Sequence, residues 1–421
     1  MKKVTFAVMG MGNRGERYAN KQLRYPDMME VVAIADTNPL TLKKAKTFLD
    51  LPEERIFNSG EEMLQQPKMA DIMVIATQDA QHRDHAIKAM ERGYDLLLEK
   101  PIANTAEDCM AILEAAHKYN RRVIVCHVLR YTIFYQEIKK LIDSGALGEI
   151  QTIQASEQVG WFHIAHSFVR GNWHKKADSS PMILAKCCHD MDLFLWLTGK
   201  KCKAVSSFGD RRFFNKEHCP ENAAERCINC PVSDCAFNAV SYYIPRIPGW
   251  PTHVLNPQPT VKNIIESLQT TNYGRCVFQM DNDVVDHQVV NLLMEDGSTV
   301  NFVMSGFTGE QNRSIHIMGS KADLIGDFDK RTFTLRQFGK KPKVVDLNPL
   351  YTDTTGHGGG DARMVHDVLR LYLGEDFDTS AITVIDRSME SHFVALAAEL
   401  SREQNGELVK MDEFIDNLKT K

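Results

Sequence analysis

Three sets of residues in this 421-residue chain have types and spacings suited to chemistry: a glycine turn, a strand-end lysine and a group of cysteines. Gly10-Met11-Gly12-Asn13-Arg14-Gly15 has the spacing G-x-G-x-x-G and follows the apolar run Val4 to Met9. Gly10 allows a tight turn, Gly12 lets the backbone approach a pyrophosphate, and Gly15 lets the following helix sit close to its strand. The helix that starts near Asn13 and Arg14 would offer unpaired N–H donors and partial positive charge to phosphates. A second apolar run, Val31 to Ala35, ends at Asp36. That acid lies roughly 20 residues past the glycines, where a carboxylate accepts from both ribose hydroxyls of NAD. Thr37-Asn38 supplies no arginine for a 2′-phosphate, and Asp36 would repel one. NAD is therefore expected over NADP.

Glu99-Lys100-Pro101 closes another apolar run. A lysine held there, beside a proline that fixes the backbone, can hydrogen-bond a hydroxyl and stabilise a developing alkoxide. The alternative is an ordinary exposed lysine. Cys219, Cys227, Cys230 and Cys235 have the spacing C-x7-C-x2-C-x4-C within one loop-rich stretch. Four sulfurs around a C-x2-C core suit a closed, structural tetrahedral zinc. An iron–sulfur cluster, disulfides or free thiols are the other readings.

Composition narrows the class. The chain is 43% hydrophobic and 25% charged, as in ordinary globular proteins, and long enough for two or three domains. A net charge of −5 with no basic run argues against a nucleic-acid partner. No stretch approaches the roughly 20 apolar residues of a membrane span. The first strand starts at once, which leaves no room for a signal peptide, so a cytoplasmic location and reduced cysteines are expected.

The elements that must position these residues follow from periodicity. Apolar runs at Ile72–Ala76, Asp95–Leu98 and Val123–Cys126 alternate with helical patterns at Pro39–Leu49, Gln81–Arg92 and Thr105–Tyr119. Such alternation predicts βαβ units and a doubly wound parallel Rossmann sheet over residues 1–125. Asp36, Thr77, Lys100 and His127 fall at strand C-termini and should share one crevice. Residues 126–360 change texture. Segments at 150–155, 289–294, 299–304 and 314–319 alternate or carry β-branched residues, with hairpin turns such as Glu295-Asp-Gly297. They predict an α+β domain on a large, mainly antiparallel open sheet, with the Cys-rich insertion at about 210–250. Residues 361–421 read as helices packing back on the body.

The glycine turn, Asp36 and Glu99-Lys100-Pro101 together resemble the Gfo/Idh/MocA oxidoreductases, named for glucose–fructose oxidoreductase and inositol dehydrogenase. Gly145-Ala-Leu-Gly-Glu149 and His189-Asp190-Met191-Asp192 extend the resemblance over nearly the whole chain. The resemblance implies that His189 accepts a proton while Lys100 lowers the pKa of the substrate hydroxyl. Imidazole, with an ordinary pKa near 6.5, suits that transfer. Thr77 and His82 match the family's pattern along the cofactor track, with Glu99 beside Lys100. Many inositol dehydrogenases of the family carry an acid four residues before the histidine, where this chain has Ala185 followed by Lys186. The change removes an acceptor for sugar hydroxyls, and the added lysine favours an alkoxide or an acidic sugar. Asp190 and Asp192 either orient His189 or serve as capping and solvated acids.

His127, Arg130 and Tyr131 open the segment after the last Rossmann strand and are expected to face the crevice. The stretch Trp161 to His174 mixes aromatics with donors, including His166, Arg170 and Trp173, as suits sugar faces. It also reads as an amphipathic surface loop. His357, before Gly358-Gly359-Gly360, resembles a segment reaching toward substrate in some relatives, or is a simple helix start. The expected activity is NAD-dependent oxidation of a sugar, cyclitol or related polyol. Redox-neutral glycoside cleavage and a non-catalytic NAD-binding sensor are the alternatives within the family. The resemblance also implies a homodimer or homotetramer formed through the open sheet.

Overall fold

Residues 3–419 are described by a computed structural model. Six strands form the first sheet: β1 (Val4–Met9), β2 (Met29–Ala35), β3 (Ile56–Phe57), β4 (Ile72–Ile75), β5 (Asp95–Leu98) and β6 (Val123–Val125). Their order is β3-β2-β1-β4-β5-β6, and every pair is parallel. Strand β4, Ile-Met-Val-Ile, is buried at all positions, because helices cover both faces of the sheet. The helices start where the sequence supplies caps. Asn38 accepts from Leu40 N at 3.0 Å, and Thr105 accepts from Asp108 N at 3.1 Å. Beyond β6, Val125 N donates to the Thr383 carbonyl at 2.8 Å, so a C-terminal segment lies along that outer edge.

The second sheet has nine strands. They are β7 (Ile150–Gln158), β8 (Cys202–Asp210), β9 (His287–Met294), β10 (Thr299–Ser305), β11 (Asn312–Gly319), β12 (Ala322–Asp327), β13 (Thr332–Gln337), β14 (Lys343–Asp346) and β15 (Val409–Lys410). The order is β14-β13-β12-β11-β7-β10-β9-β8-β15, antiparallel except for the β7–β10 pair. Alternation along β10 and β11 puts one face into the core and leaves the other open. Helices Met182–Thr198 and Ile385–Glu403 cover the inner face. In the first of these, every residue but Lys186 and Thr198 is buried, so it is covered on all sides and carries His189, Asp190 and Asp192 inside the molecule.

Two regions depart from the sequence reading. The connection between β8 and β9 runs through residues 211–286, well past the Cys-rich stretch. Its second half holds helices Ala239–Tyr243, Thr252–Leu255 and Val261–Thr270 around a small core of its own, with Ala239, Tyr243, Ile264 and Leu268 fully buried. The stretch from Trp161 is not a surface loop. It forms a helical turn and then a π-helix over Ile164–Arg170 whose residues are all buried. Among the described residues, no helix is long and apolar enough to cross a membrane.

Candidate active site

One cavity of about 930 Å³ runs from Asp36 past the glycine turn to Lys100, Lys186 and His189. At its first end the backbone does most of the work. Gly10 has φ +86°, and a Cβ there would meet the Ala76 carbonyl oxygen at 2.4 Å. A Cβ on Gly15 would lie 1.8 Å from the Gly10 carbonyl oxygen. Gly12 alone of the three would meet nothing within 4 Å, so its backbone faces open cavity, as a pyrophosphate requires. Asp36 accepts from Met11 N at 2.7 Å and from Asn38 N at 2.8 Å, which fixes its carboxylate at the ribose end. These features fit NAD. Gly12, the loop amides and Asp36 would hold its phosphates and ribose.

Arg14, expected to meet the cofactor, lines the cavity but is committed elsewhere. It donates to Glu99 at 2.6 Å and to both oxygens of Asp361, at 2.9 and 3.1 Å. Asp361 opens helix Gly360–Leu373, so this cluster ties the C-terminal helices to the glycine turn. Burial opposes charge on Glu99, yet Arg14 and Lys100 outweigh it and hold its carboxyl below the usual range. Thr77 and His82 also line the cavity. The His82 ring bridges the carbonyls of Pro101 (2.7 Å) and Thr77 (3.2 Å), bracing the turn that presents Lys100.

The other end is built from side chains. Lys100 Nζ donates to the Ala185 carbonyl at 2.8 Å, one helical turn before His189. Neither ring nitrogen of His189 has a hydrogen-bond partner. Burial, helped by Lys100, His127 and His357, pushes its pKa well below the ordinary histidine value, so the ring is neutral. Lys186 lies 3.3 Å from Glu157, which pairs with Arg313 at 2.5 Å. Arg313 in turn holds Asp190 at 2.9 Å. Burial lifts the Asp190 carboxyl to about 6 against the pull of Arg313. Glu157 and Arg313 come from the adjacent strands β7 and β11, and no short motif marks them. His357 sits on a run of positive φ from Gly356 to Gly359, with its ring 5.8 Å from His189 and Nδ1 3.2 Å from Asp361. Trp173 lines the same end and donates to Asp79 at 3.2 Å.

Four expected substrate residues lie elsewhere. His127 is fully buried behind His189, its ring 5.7 Å away, with Nδ1 3.9 Å from Asp192. Arg130 is spent on Asp192 in a bidentate pair of 2.6 Å contacts. The Tyr131 hydroxyl meets Thr383 inside the core. Arg170 belongs to the base of the insertion, where it donates to the carbonyls of Arg275 (2.8 Å) and Phe237 (2.7 Å). All four sit just past a strand or inside a polar stretch, where sequence alone does not separate a crevice-facing side chain from a buried one.

The zinc expectation is also corrected. Among the described residues, no group of three or more His, Cys, Asp or Glu side chains is arranged to hold a metal ion. Cys227, Cys230 and Cys235 border one small cleft as free thiols, and Cys219 is free as well. Arg170 donates to Cys227 at 3.4 Å and Gln279 to Cys219 at 3.6 Å, and Cys219 also lies against Cys276.

Fold and glycine-turn pocket together define an NAD-binding oxidoreductase. Residues 4–127 match the oxidoreductase family model with an NAD-binding Rossmann fold, and residues 135–237 match the GFO/IDH/MocA C-terminal domain. The chain belongs to the Gfo/Idh/MocA family, whose relatives include dehydrogenases acting on sugar and polyol hydroxyls. It is 24% identical over 404 residues to YteT of Bacillus subtilis, described as an oxidoreductase, covering 89% of this chain and 90% of that one. An inositol 2-dehydrogenase of Pseudomonas fluorescens is 27% identical over 191 residues, 45% of this chain and 53% of that enzyme. The solved structure of an inositol dehydrogenase homolog from Azotobacter vinelandii with NAD+ shares the fold, at a TM-score of 0.69 and 15% identity, over 97% of both chains. Residues 238–286 lie outside both matched stretches.

Proposed function

We propose that this protein oxidises a carbinol of a sugar, cyclitol or related polyol, with Lys100 and His189 handling the hydroxyl proton. The observation that carries the reading is the meeting of these two side chains at one end of a cavity whose other end fits NAD. When bound, NAD accepts the hydride. Lys100 spends one of its three N–H donors on Ala185, which aims the ammonium into the cavity. A donor there stabilises the alkoxide that forms as the hydroxyl loses its proton. His189 is neutral and unpartnered, which suits a proton acceptor. Lys186, tethered to Glu157, adds positive potential beside the alkoxide and favours a substrate that carries a carboxylate. We extend the proposal to pairing of two copies through the open sheet, whose outer face exposes Leu293, Val303 and Ile325.

The test is absorbance of reduced nicotinamide, with purified protein and NAD set against polyols, sugars, sugar acids and aryl glycosides. NADH formation that disappears in Lys100→Ala and His189→Ala supports the dehydrogenase. Aglycone release without net NADH would replace it with redox-neutral glycoside cleavage. NAD binding with neither signal would favour a sensor.

A further inference from the structure

Beyond the Cys-rich stretch, the connection between β8 and β9 returns to the cofactor end of the cavity. Trp250, His253, Val254 and Leu255 line the same cavity as Asp36 and Thr41. Two apolar side chains in this polar setting stay uncovered, Trp250 at 37% and Val254 at 39% exposure. The segment is nonetheless well anchored. Trp250 packs on His163 and His166, with ring centroids 5.3 and 5.5 Å apart, and Leu255 packs on the insertion's own core of Tyr242, Tyr243, Ile264 and Leu268. The His253 ring feels the charges of Glu16, Lys44 and Arg17, which lie on the helices that follow the glycine turn and Asp36. An anchored wall with uncovered apolar side chains, set across from a ribose-fixing carboxylate, suits a flat aromatic base.

We propose that residues 253–257, held in place by Trp250 on His163 and His166, form the outer wall of the adenosine half of the NAD site, contact the bound nucleotide and slow its release. The inference rests on the NAD reading of the cavity. It adds a cofactor contact supplied by the second domain to those of the glycine turn and Asp36. The nucleotide is thereby held from both sides, and its escape requires the wall to part.

The experiment is amide hydrogen exchange of the unmodified protein with and without ADP-ribose, which carries the adenosine half and lacks nicotinamide. Slower exchange in both the glycine turn and residues 253–257 is expected. Protection of the turn alone would overturn the wall and leave the cofactor site standing. Protection of neither would remove the NAD reading, and the wall with it. In parallel, the NADH release rate is measured by fluorescence on chasing with excess ADP-ribose. His253→Ala with Val254→Ser should speed release by about tenfold, the worth of burying one aliphatic side chain. A rate within about twofold of the parent, on the same scale, would overturn the proposal.

Discussion

The two ends of the central cavity are built on different terms. The cofactor end is made of backbone: a tight glycine turn, loop amides and one carboxylate pinned by two N–H donors. The substrate end is made of buried ionisable side chains, with Lys186, Glu157, Arg313 and Asp190 linked in series and a neutral His189 beside them. A backbone site is written in a few consecutive residues and costs little to desolvate. A side-chain site gathers groups from distant strands, and each charge depends on its partner being present. Damage at the first end should therefore show in nucleotide affinity, and damage at the second in chemistry or stability.

Four experiments sharpen that contrast. The largest effect is expected from Lys100→Ala and His189→Ala, each lowering kcat by about 10²–10⁴-fold while NAD affinity by calorimetry stays unchanged. Loss of NAD binding in these variants would erase the division between the ends. Arg313→Met comes next, because it leaves Glu157 and Asp190 buried without their shared cation. A stability loss of about 3–5 kcal/mol is expected in denaturant unfolding, and a neutral outcome would mean that the network contributes little. Third is a pair of glycine variants. Gly12→Ala should keep the parent's melting temperature and weaken NAD by at least about tenfold, since its methyl enters the pyrophosphate space. Gly15→Ala should lower the melting temperature even without nucleotide, because its methyl strikes the Gly10 carbonyl. Equal melting behaviour of the two would refute this account of the turn.

The mildest effect concerns pH. A base with the ordinary histidine pKa near 6.5 would lose about threefold in kcat/KM between pH 7 and pH 6 as it protonates. The His189 pKa lies well below that value, so the ring stays neutral as pH falls and activity is lost only at lower pH. Rates at pH 6 and pH 7 should agree within about twofold, and a threefold drop would restore an ordinary histidine.

The same contrast explains what the sequence made legible. Val4 to Gly15, Asp36 and Glu99-Lys100-Pro101 are local signals, and both sheets followed from period and turn chemistry. Glu157 and Arg313 were not legible, because alternate positions on strands β7 and β11 look alike until the register sets which face the cavity. Arg130 and Arg170 carry the residue type of a substrate clamp, but only the fold reveals that Asp192 and nearby carbonyls consume them. The cysteine spacing suited a metal, yet spacing along the chain does not set how the sulfurs are aimed: Cys227, Cys230 and Cys235 share one cleft without forming a metal-holding group among the described residues. Trp250 to Leu255 carry no motif at all.

The strip of chain at Thr383 and Val384 along β6 has a consequence for handling this protein. A parallel sheet ends in a row of unsatisfied backbone groups, and such a row templates association with other chains. Here Val125 N is already bonded to Thr383, and Ile124 bridges Val384. A version cut short before residue 383 would bare that row, so the nucleotide-binding half expressed alone should aggregate more readily than the 421-residue chain.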